Sequence, residues 1–159
     1  MTQEEKQLLL KDLCVRLPYG LKCYCKIYDE DSDGFPLDTK HDGIGVLCTI
    51  YTDEGDSYYV EFIEGIARYN IEEVKPYLRP MSSMTEEEKE DILQALNIHG
   101  DIDTEGNLLL GVECNILTLK VCKKYIGELN KRMFDVCHLI EKGLALEAPE
   151  GMYNIYKKK

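Results

Sequence analysis

The stretch Ile71-Glu-Glu-Val-Lys-Pro-Tyr-Leu-Arg-Pro-Met-Ser-Ser-Met84 divides the chain into two parts of different periodicity. Before it, apolar residues alternate as in β-strands, and after it they recur at helical spacing. Pro76 and Pro80 exclude a long helix or a central strand here, because proline cannot donate a backbone hydrogen bond. We therefore expect one short turn of helix, an extended connector and then the start of a helix.

The part before the connector predicts one helix and four short antiparallel strands. Thr2-Gln-Glu-Glu5 is a capping box, and the spacing of the apolar residues after it predicts a helix over about 2–17. A polar loop is expected at Asp29–Gly43, with turns at Asp53–Asp56 and Glu64–Gly65. The strands follow from alternating apolar residues, with these at their centres: Leu21, Cys23, Cys25 and Ile27; Ile44, Val46, Cys48 and Ile50; Tyr58, Val60 and Phe62; Ile66 to Asn70.

The part after the connector is predicted to be helical. A second capping box, Thr85-Glu-Glu-Glu88, starts a helix that reaches about residue 97, and a short strand is expected at Leu108–Leu110. A third helix is predicted over about Thr118–Phe134, with this apolar stripe: Leu119, Cys122, Ile126, Leu129 and Met133.

These elements predict an α+β fold. Residues of about 20–70 would form a small antiparallel SH3-like β-barrel or a strongly twisted meander, preceded by one helix and followed by a helical half. The division expected is 1–80, the N-terminal helix plus β unit, and 81–159, a helical C-terminal half packed on it as one compact unit.

Composition limits the classes of function. The chain has 159 residues, 44% of them hydrophobic, and a formal net charge of −11. A field of this sign opposes binding to nucleic acid, and no apolar run approaches the ~20 residues that span a membrane. We expect a cytoplasmic protein with no cofactor.

The seven cysteines include no C-x-x-C pair, and no signal peptide precedes them. We interpret them as reduced, mostly buried thiols without disulfides, and a zinc site is the alternative.

Two acidic loops imitate the start of a calcium-binding loop. One contains Asp29, Asp31 and Asp33, but Lys40 stands where a bidentate glutamate is needed. The other places Asp101, Asp103 and Glu105 before a glycine and ends on Val112. The second is the better candidate for a metal, although neither has the ligand that tightens such a site.

Tyrosine is the most informative residue type, since the chain has 11 tyrosines and no tryptophan. Five of them fall on strand faces opposite the apolar residues: Tyr24, Tyr28, Tyr51, Tyr59 and Tyr69. In the first strand, alternation puts Lys22, Tyr24, Lys26 and Tyr28 on one side, here called the tyrosine-lysine face. It is a candidate for a ligand or partner site, unless a helix covers it.

Three stretches of the chain resemble a family of short proteins of unassigned function, which are encoded by phages and prophages of Bacteroides-type gut bacteria. The stretches are Leu8–Gly20, Ile71–Glu88 and Gly143–Tyr153, which occur in the same order in the family. Where the family often has D-x-R-G-L-I, this chain reads Asp135-Val-Cys-His-Leu-Ile140 and lacks the arginine and glycine. The resemblance implies a phage accessory protein and no particular fold, catalyst or ligand.

Three functions remain open. The first is an accessory protein that binds a host or phage protein and inhibits host defence. The second is a binder that sequesters a nucleotide signal between lysines and tyrosines at the interface of a homo-oligomer. The third, less favoured because no catalytic motif occurs, is a metal-dependent hydrolase using the carboxylates of Asp101, Asp103 and Glu105.

Overall fold

The computed structural model describes residues 1–33, 36–52, 57–63, 68–110 and 118–153. The fold is α+β, with a mostly antiparallel sheet and helices towards both ends of the chain. The helices are α1 (Gln3–Arg16), α2 (Glu86–Leu96) and α3 (Leu119–Lys131), and the strands are β1 (Lys22–Glu30), β2 (Pro36–Thr52), β3 (Tyr58–Phe62), β4 (Tyr69–Asn70), β5 (Lys75–Leu78), β6 (Gly100–Ile102), β7 (Leu108–Leu110) and β8 (Leu146–Glu147).

The chain divides into two compact units. The first comprises Met1–Tyr77 and Leu139–Leu146, and the second comprises Leu78–His138 together with the chain from Glu147 onwards. The predicted division after residue 80 did not include the return of the chain to the first unit at residues 139–146.

Helix α1 begins and ends as its sequence predicts. Thr2 Oγ1 accepts a hydrogen bond from the Glu5 backbone at 3.2 Å, and the Glu5 carboxylate accepts one from the Thr2 backbone at 2.7 Å. Gly20, with φ of 71°, ends the 3₁₀ turn that follows the helix. Leu9 and Leu13 are fully buried, so this helix packs its apolar side into the core of the first unit.

The first four strands form an antiparallel meander in an open six-stranded sheet of order β4-β3-β2-β1-β5-β8. The long strand β2 pairs with β1 through its first part and with β3 through its last part. The register shifts between Leu47 and Thr49, where β2 passes from one partner to the other. The sheet is not closed, so the meander of the prediction is observed and the barrel is not.

The expected polar loop at Asp29–Gly43 is wrong over most of its length. Strand β2 begins at Pro36, and β1 continues to Glu30, so the two strands form an extended hairpin. The Cα register continues to the pair Tyr28 and Lys40. The sequence predicts a loop here because residues 36–43, here called the polar arm of β2, lack the alternation of apolar residues that marks a half-buried strand. The turns expected at Asp53–Asp56 and Glu64–Gly65 lie outside the described residues.

The connector contains the predicted helical turn, at Ile71–Glu73, but it also contains strand β5. The exclusion of a central strand at Pro76 was wrong, since β5 lies between β1 and β8 in the sheet. Its pairing with β1 covers only two residue pairs, Cys23 with Pro76 and Tyr24 with Lys75. A ladder this short needs few backbone donors, so the missing N–H of proline is tolerated.

The second unit consists of α2, the β6–β7 hairpin and α3 around their own core. The predicted capping box is present, since Thr85 Oγ1 accepts from the Glu88 backbone at 3.2 Å. The hydroxyl of Tyr125 donates to the Gly106 carbonyl at 2.8 Å, which attaches α3 to the hairpin turn. The core of this unit is formed by Met84, Ile92, Leu96, Ile102, Tyr125, Leu129 and Phe134.

The predicted apolar stripe of the third helix is only partly correct. Leu129 and Met133 are buried, whereas Leu119 is 71% exposed and Ile126 is 41% exposed. Tyr125 takes the place in the core that the prediction gave to the exposed residues. Among the described residues, none of the helices is both long enough and apolar enough to span a membrane.

Candidate functional site

The tyrosine-lysine face lies on the side of β1 opposite the buried Cys23 and Cys25. Burial raises the pKa of the Cys23 thiol, and the neighbouring Cys25 and the Asp12 carboxylate of α1 raise it further. The cysteine side of β1 is buried, since Cys23 and Cys25 are both 0% exposed. Alternation then directs Lys22, Tyr24 and Lys26 to the other side.

Three strands contribute to this surface. Lys22 pairs with Val46 and Tyr24 with Ile44 on β2, and Tyr24 also pairs with Lys75 on β5. Residues that pair across strands share a face, so the register extends the tyrosine-lysine face to neighbouring side chains. These neighbours are Asp42, Ile44 and Val46 of β2, and Lys75 and Tyr77 of β5.

Asp42 organises the polar groups of the face. Its Oδ1 accepts a hydrogen bond from the Tyr24 hydroxyl at 2.6 Å and lies 3.3 Å from the Lys26 ammonium. The hydrogen bond from Tyr24, and then Lys26, lower the pKa of Asp42, and the same hydrogen bond raises the pKa of Tyr24. At neutral pH the face therefore carries a charged carboxylate and a protonated phenol held side by side.

The face carries basic groups in a chain whose net charge is negative. Lys22, Lys26 and Lys75 bring three ammonium groups to it, and that of Lys26 pairs with the Asp42 carboxylate at 3.3 Å. Ile44 adds an apolar side chain that is 48% exposed. Rings, ammonium groups and an exposed isoleucine on a sheet surface can bind a protein with an acidic and partly apolar surface.

Tyr28 is placed differently from the other three predicted residues. Its ring centroid lies 6.0 Å from that of Tyr69, and the Tyr69 ring lies 5.2 Å from Phe62. Tyr69 is 4% exposed, so the prediction that it lies opposite the apolar residues was wrong. The structure thus brings Lys22, Tyr24 and Lys26 together and places Tyr28 beside an aromatic cluster.

Sequence reasoning missed Asp42, Ile44, Lys75 and Tyr77. A signal for the last two was present, because Lys75 and Tyr77 alternate with Pro76 and Leu78, as in a strand with one apolar side. Asp42 had no such signal, because its place on the face depends on the hairpin register. The prediction that Ile44 lies on the apolar side of the second strand was wrong, since it pairs with Tyr24 and is 48% exposed.

The first acidic loop does not gather its carboxylates around one point. Asp29 Oδ1 lies 2.8 Å from His41 Nδ1, and Asp31 accepts a hydrogen bond from the Asp33 backbone. The second of these bonds is typical of an aspartate that forms a turn.

The second acidic loop is the turn of the β6–β7 hairpin. Asp103 Oδ1 accepts from the Glu105 and Asn107 backbones, and its Oδ2 accepts from the Asn107 amide. These hydrogen bonds, led by those from Asn107, lower the pKa of Asp103. Asp101 accepts from the Ile102 backbone. In the part of the chain that the structure describes, no group of three or more His, Cys, Asp or Glu side chains could hold a metal ion.

The described cysteines are all free thiols: Cys14, Cys23, Cys25, Cys48, Cys122 and Cys137. Cys23 and Cys25 are buried, as expected, but Cys14, Cys48 and Cys122 are exposed. Cys114 lies outside the described residues.

A shallow groove of about 360 Å³ lies at the C-terminal end of α2. Among the described residues, neither lysine nor arginine lines it, and Glu90 contributes a carboxylate, so its chemistry does not suit a phosphate group. Its lining is Glu90, Leu93, Gln94, Asn97, Ile98, His99 and Gly100.

Comparison with known proteins found no matching family model, no matching curated protein and no matching solved structure.

Proposed function

We propose that this chain acts by binding another protein, and that the tyrosine-lysine face is the site of binding. The observation that carries the proposal is the open ladder of β2, β1 and β5, in which the exposed Ile44 lies across from Tyr24, and Tyr24 lies across from Lys75. Tyrosine combines a large apolar area with a polar tip and loses little entropy on binding, so it is typical of protein interfaces. The exposed Lys75, together with Lys26 beside Asp42, favours a partner with an acidic surface.

The biological setting is part of the same proposal. Resemblance to the phage and prophage family suggests an accessory protein, and binding a host defence protein would make it an inhibitor. Such an inhibitor needs an interface and no catalytic group. An SH3-like relationship of the β unit stays a prediction and contributes nothing to the proposal.

The nucleotide-binding alternative is less well supported. A site for a small molecule encloses most of its ligand, whereas the tyrosine-lysine face is a sheet surface. The hydrolase alternative is weaker still, because Asp101 and Asp103 bind the backbone of their own hairpin.

The test uses the triple variant Lys22→Ala, Tyr24→Ala, Lys26→Ala. Partners are captured on the immobilised wild-type protein from a host lysate and identified by mass spectrometry. The strongest binder is then purified, and its affinity is measured by calorimetry. We expect the triple variant to bind at least about 30-fold more weakly, which corresponds to about 2 kcal/mol for an interface centre.

A matched control removes the same residue types elsewhere, with Lys11→Ala, Tyr19→Ala and Lys131→Ala at exposed positions. Thermal melting must show that both variants are folded. Unchanged affinity in the folded triple variant would exclude this face as the site.

A further inference from the structure

Helix α3 exposes a continuous apolar stripe as well as its buried side. Leu119 is 71% exposed, Ile126 is 41% exposed, and the Cys122 thiol between them is exposed. The spacing i, i+3, i+7 aligns the three side chains along the helix. Tyr125 and Leu129 face the core of the second unit. The apolar surface of α3 therefore extends beyond the side that packs in that core.

Lysines border this stripe on one side. Lys120 and Lys123 are exposed on the adjoining face of α3. Lys124 is already engaged, since its ammonium donates to the Ala95 carbonyl at the C-terminal end of α2. In a chain of formal net charge −11, the edge formed by Lys120 and Lys123 is locally positive. It complements a partner that carries carboxylates beside apolar side chains.

Gly127 adds an observation of a different kind. It lies inside the helix, where glycine is less favourable than alanine, and a Cβ there would have no heavy atom of the described residues within 4 Å. The packing of the chain therefore does not require glycine at this position. A residue without a side chain does allow a second backbone to approach closely beside Ile126 and Lys123.

We propose that the exposed side of α3 is a docking surface for an acidic amphipathic helix of another protein. Apolar residues of that helix would cover Leu119 and Ile126, its carboxylates would meet Lys120 and Lys123, and its backbone would pass over Gly127. The surface lies in the second unit and does not depend on the tyrosine-lysine face.

Other occupants fit the charges less well. If two copies of α3 packed antiparallel, their lysine edges would meet and repel each other. If α2 of a second copy were the occupant, its exposed side would offer Glu86, Glu87 and Glu90 without a large apolar side chain between them. An anionic bilayer extends far beyond the patch and meets the repulsion of the whole chain. A single helix experiences mainly the local field, because screening acts over about 8 Å at physiological ionic strength.

The test measures fluorescence anisotropy with the full chain and two synthetic helical peptides. Both carry leucines at i, i+3, i+4 and i+7, one with glutamate and the other with lysine at the flanking positions. We expect the acidic peptide to bind at least 10-fold more tightly than the basic one. The variant Leu119→Ala, Ile126→Ala should weaken acidic-peptide binding at least 10-fold, and Lys120→Ala, Lys123→Ala should remove its salt dependence.

The control Leu109→Ala, Ile63→Ala removes the same residue types at positions that are 50% and 69% exposed, and it should bind like the wild type. Gly127→Ala should weaken binding while raising the melting temperature, a combination that a merely structural role would not produce.

Several results would overturn the proposal. Equal binding of the two peptides, or unchanged binding in the Leu119→Ala, Ile126→Ala variant, would exclude an acidic helix. Sedimentation showing a dimer that this variant abolishes would identify a second copy as the occupant. Binding to phosphatidylserine vesicles that the variant abolishes would identify a membrane instead.

Discussion

Arg79, a residue of the connector, contacts several parts of the second unit. Its guanidinium contacts both carboxylate oxygens of Glu88 on α2, at 2.6 and 2.8 Å, and lies 4.4 Å from the centre of the Phe134 ring. Its backbone pairs with the segment after α3, since its N–H donates to Met133 and its carbonyl accepts from Asp135. A bidentate pair with these further contacts fixes Arg79 relative to α2 and to the segment after α3.

Substitution of Glu88 by glutamine should destabilise the protein by about 3 kcal/mol at pH 7, because the largely buried guanidinium of Arg79 would lose its countercharge. Burial alone would raise the pKa of Glu88, but the hydrogen bonds from Arg79 and Thr85 outweigh it, and the pKa is lowered. The pair therefore contributes stability above the unfolded-state pKa of about 4.5, and this stability is lost as the pH falls through the folded-state value. Urea unfolding between pH 7 and pH 3 measures both effects.

The matched control is Glu86→Gln on the same helix. Glu86 pairs with Lys89 at 2.8 Å, but its side chain is 81% exposed, so the loss should stay below about 1 kcal/mol. The stability of the Glu88→Gln variant should also fall less steeply on acidification than that of the wild type. Equal losses in the two variants would show that burial of the Arg79 pair contributes nothing.

At the scale of elements, strand β2 depends on the absence of a side chain at one residue. Gly45 pairs with Cys23, and a Cβ at Gly45 would lie 2.5 Å from Cγ of Phe62. Phe62 is 5% exposed, and Cγ is the ring atom nearest its backbone, so the ring cannot easily move away. Gly45→Ala should therefore destabilise the first unit by about 1–3 kcal/mol.

Gly127→Ala provides the opposite case, since open space surrounds its site in a helix. It should stabilise the protein by about 0.5–1 kcal/mol. Chemical denaturation of both variants measures these changes in the free energy of unfolding. If Gly45→Ala left this free energy unchanged, β2 and Phe62 would be able to move apart without cost.

Elements were predictable where a local signal determines them. The capping boxes at Thr2 and Thr85 begin α1 and α2 as expected, and alternation located β1 and the apolar part of β2. The short strand β5 was missed because Pro76 was taken to exclude a central strand, although its residues alternate. The polar arm of β2 was missed because only pairing with β1 makes it a strand. Local propensity does not contain that information.

The same distinction applies to the candidate site. Alternation alone placed Lys22, Tyr24 and Lys26 on one side of a strand, and the structure has them there. The hydrogen bond from Tyr24 to Asp42 spans 18 positions and depends on the hairpin register. Tyr28 belonged to the same periodic set but lies beside Tyr69, a contact between strands that are distant in sequence.

At the scale of the whole molecule, the chain returns to its first unit after forming the core of the second. Residues Leu139–Leu146 belong to the first unit, and Leu139 and Leu144 are 0% and 6% exposed. The return makes the first unit discontinuous in sequence, so its stability depends on residues that follow both helices of the second unit.

A pair of identical substitutions tests this dependence. Leu139→Ala removes a fully buried side chain and should destabilise the protein by about 2–5 kcal/mol, because it leaves a cavity as well as losing burial. Leu119→Ala removes the same atoms from a side chain that is 71% exposed, and its effect should stay within about 0.5 kcal/mol. Hydrogen exchange followed by mass spectrometry then locates the loss: in Leu139→Ala, protection should fall in β1 and α1 of the first unit. If protection fell only in α2 and α3, the returning segment would stabilise the second unit, and the division of the chain would have to be redrawn.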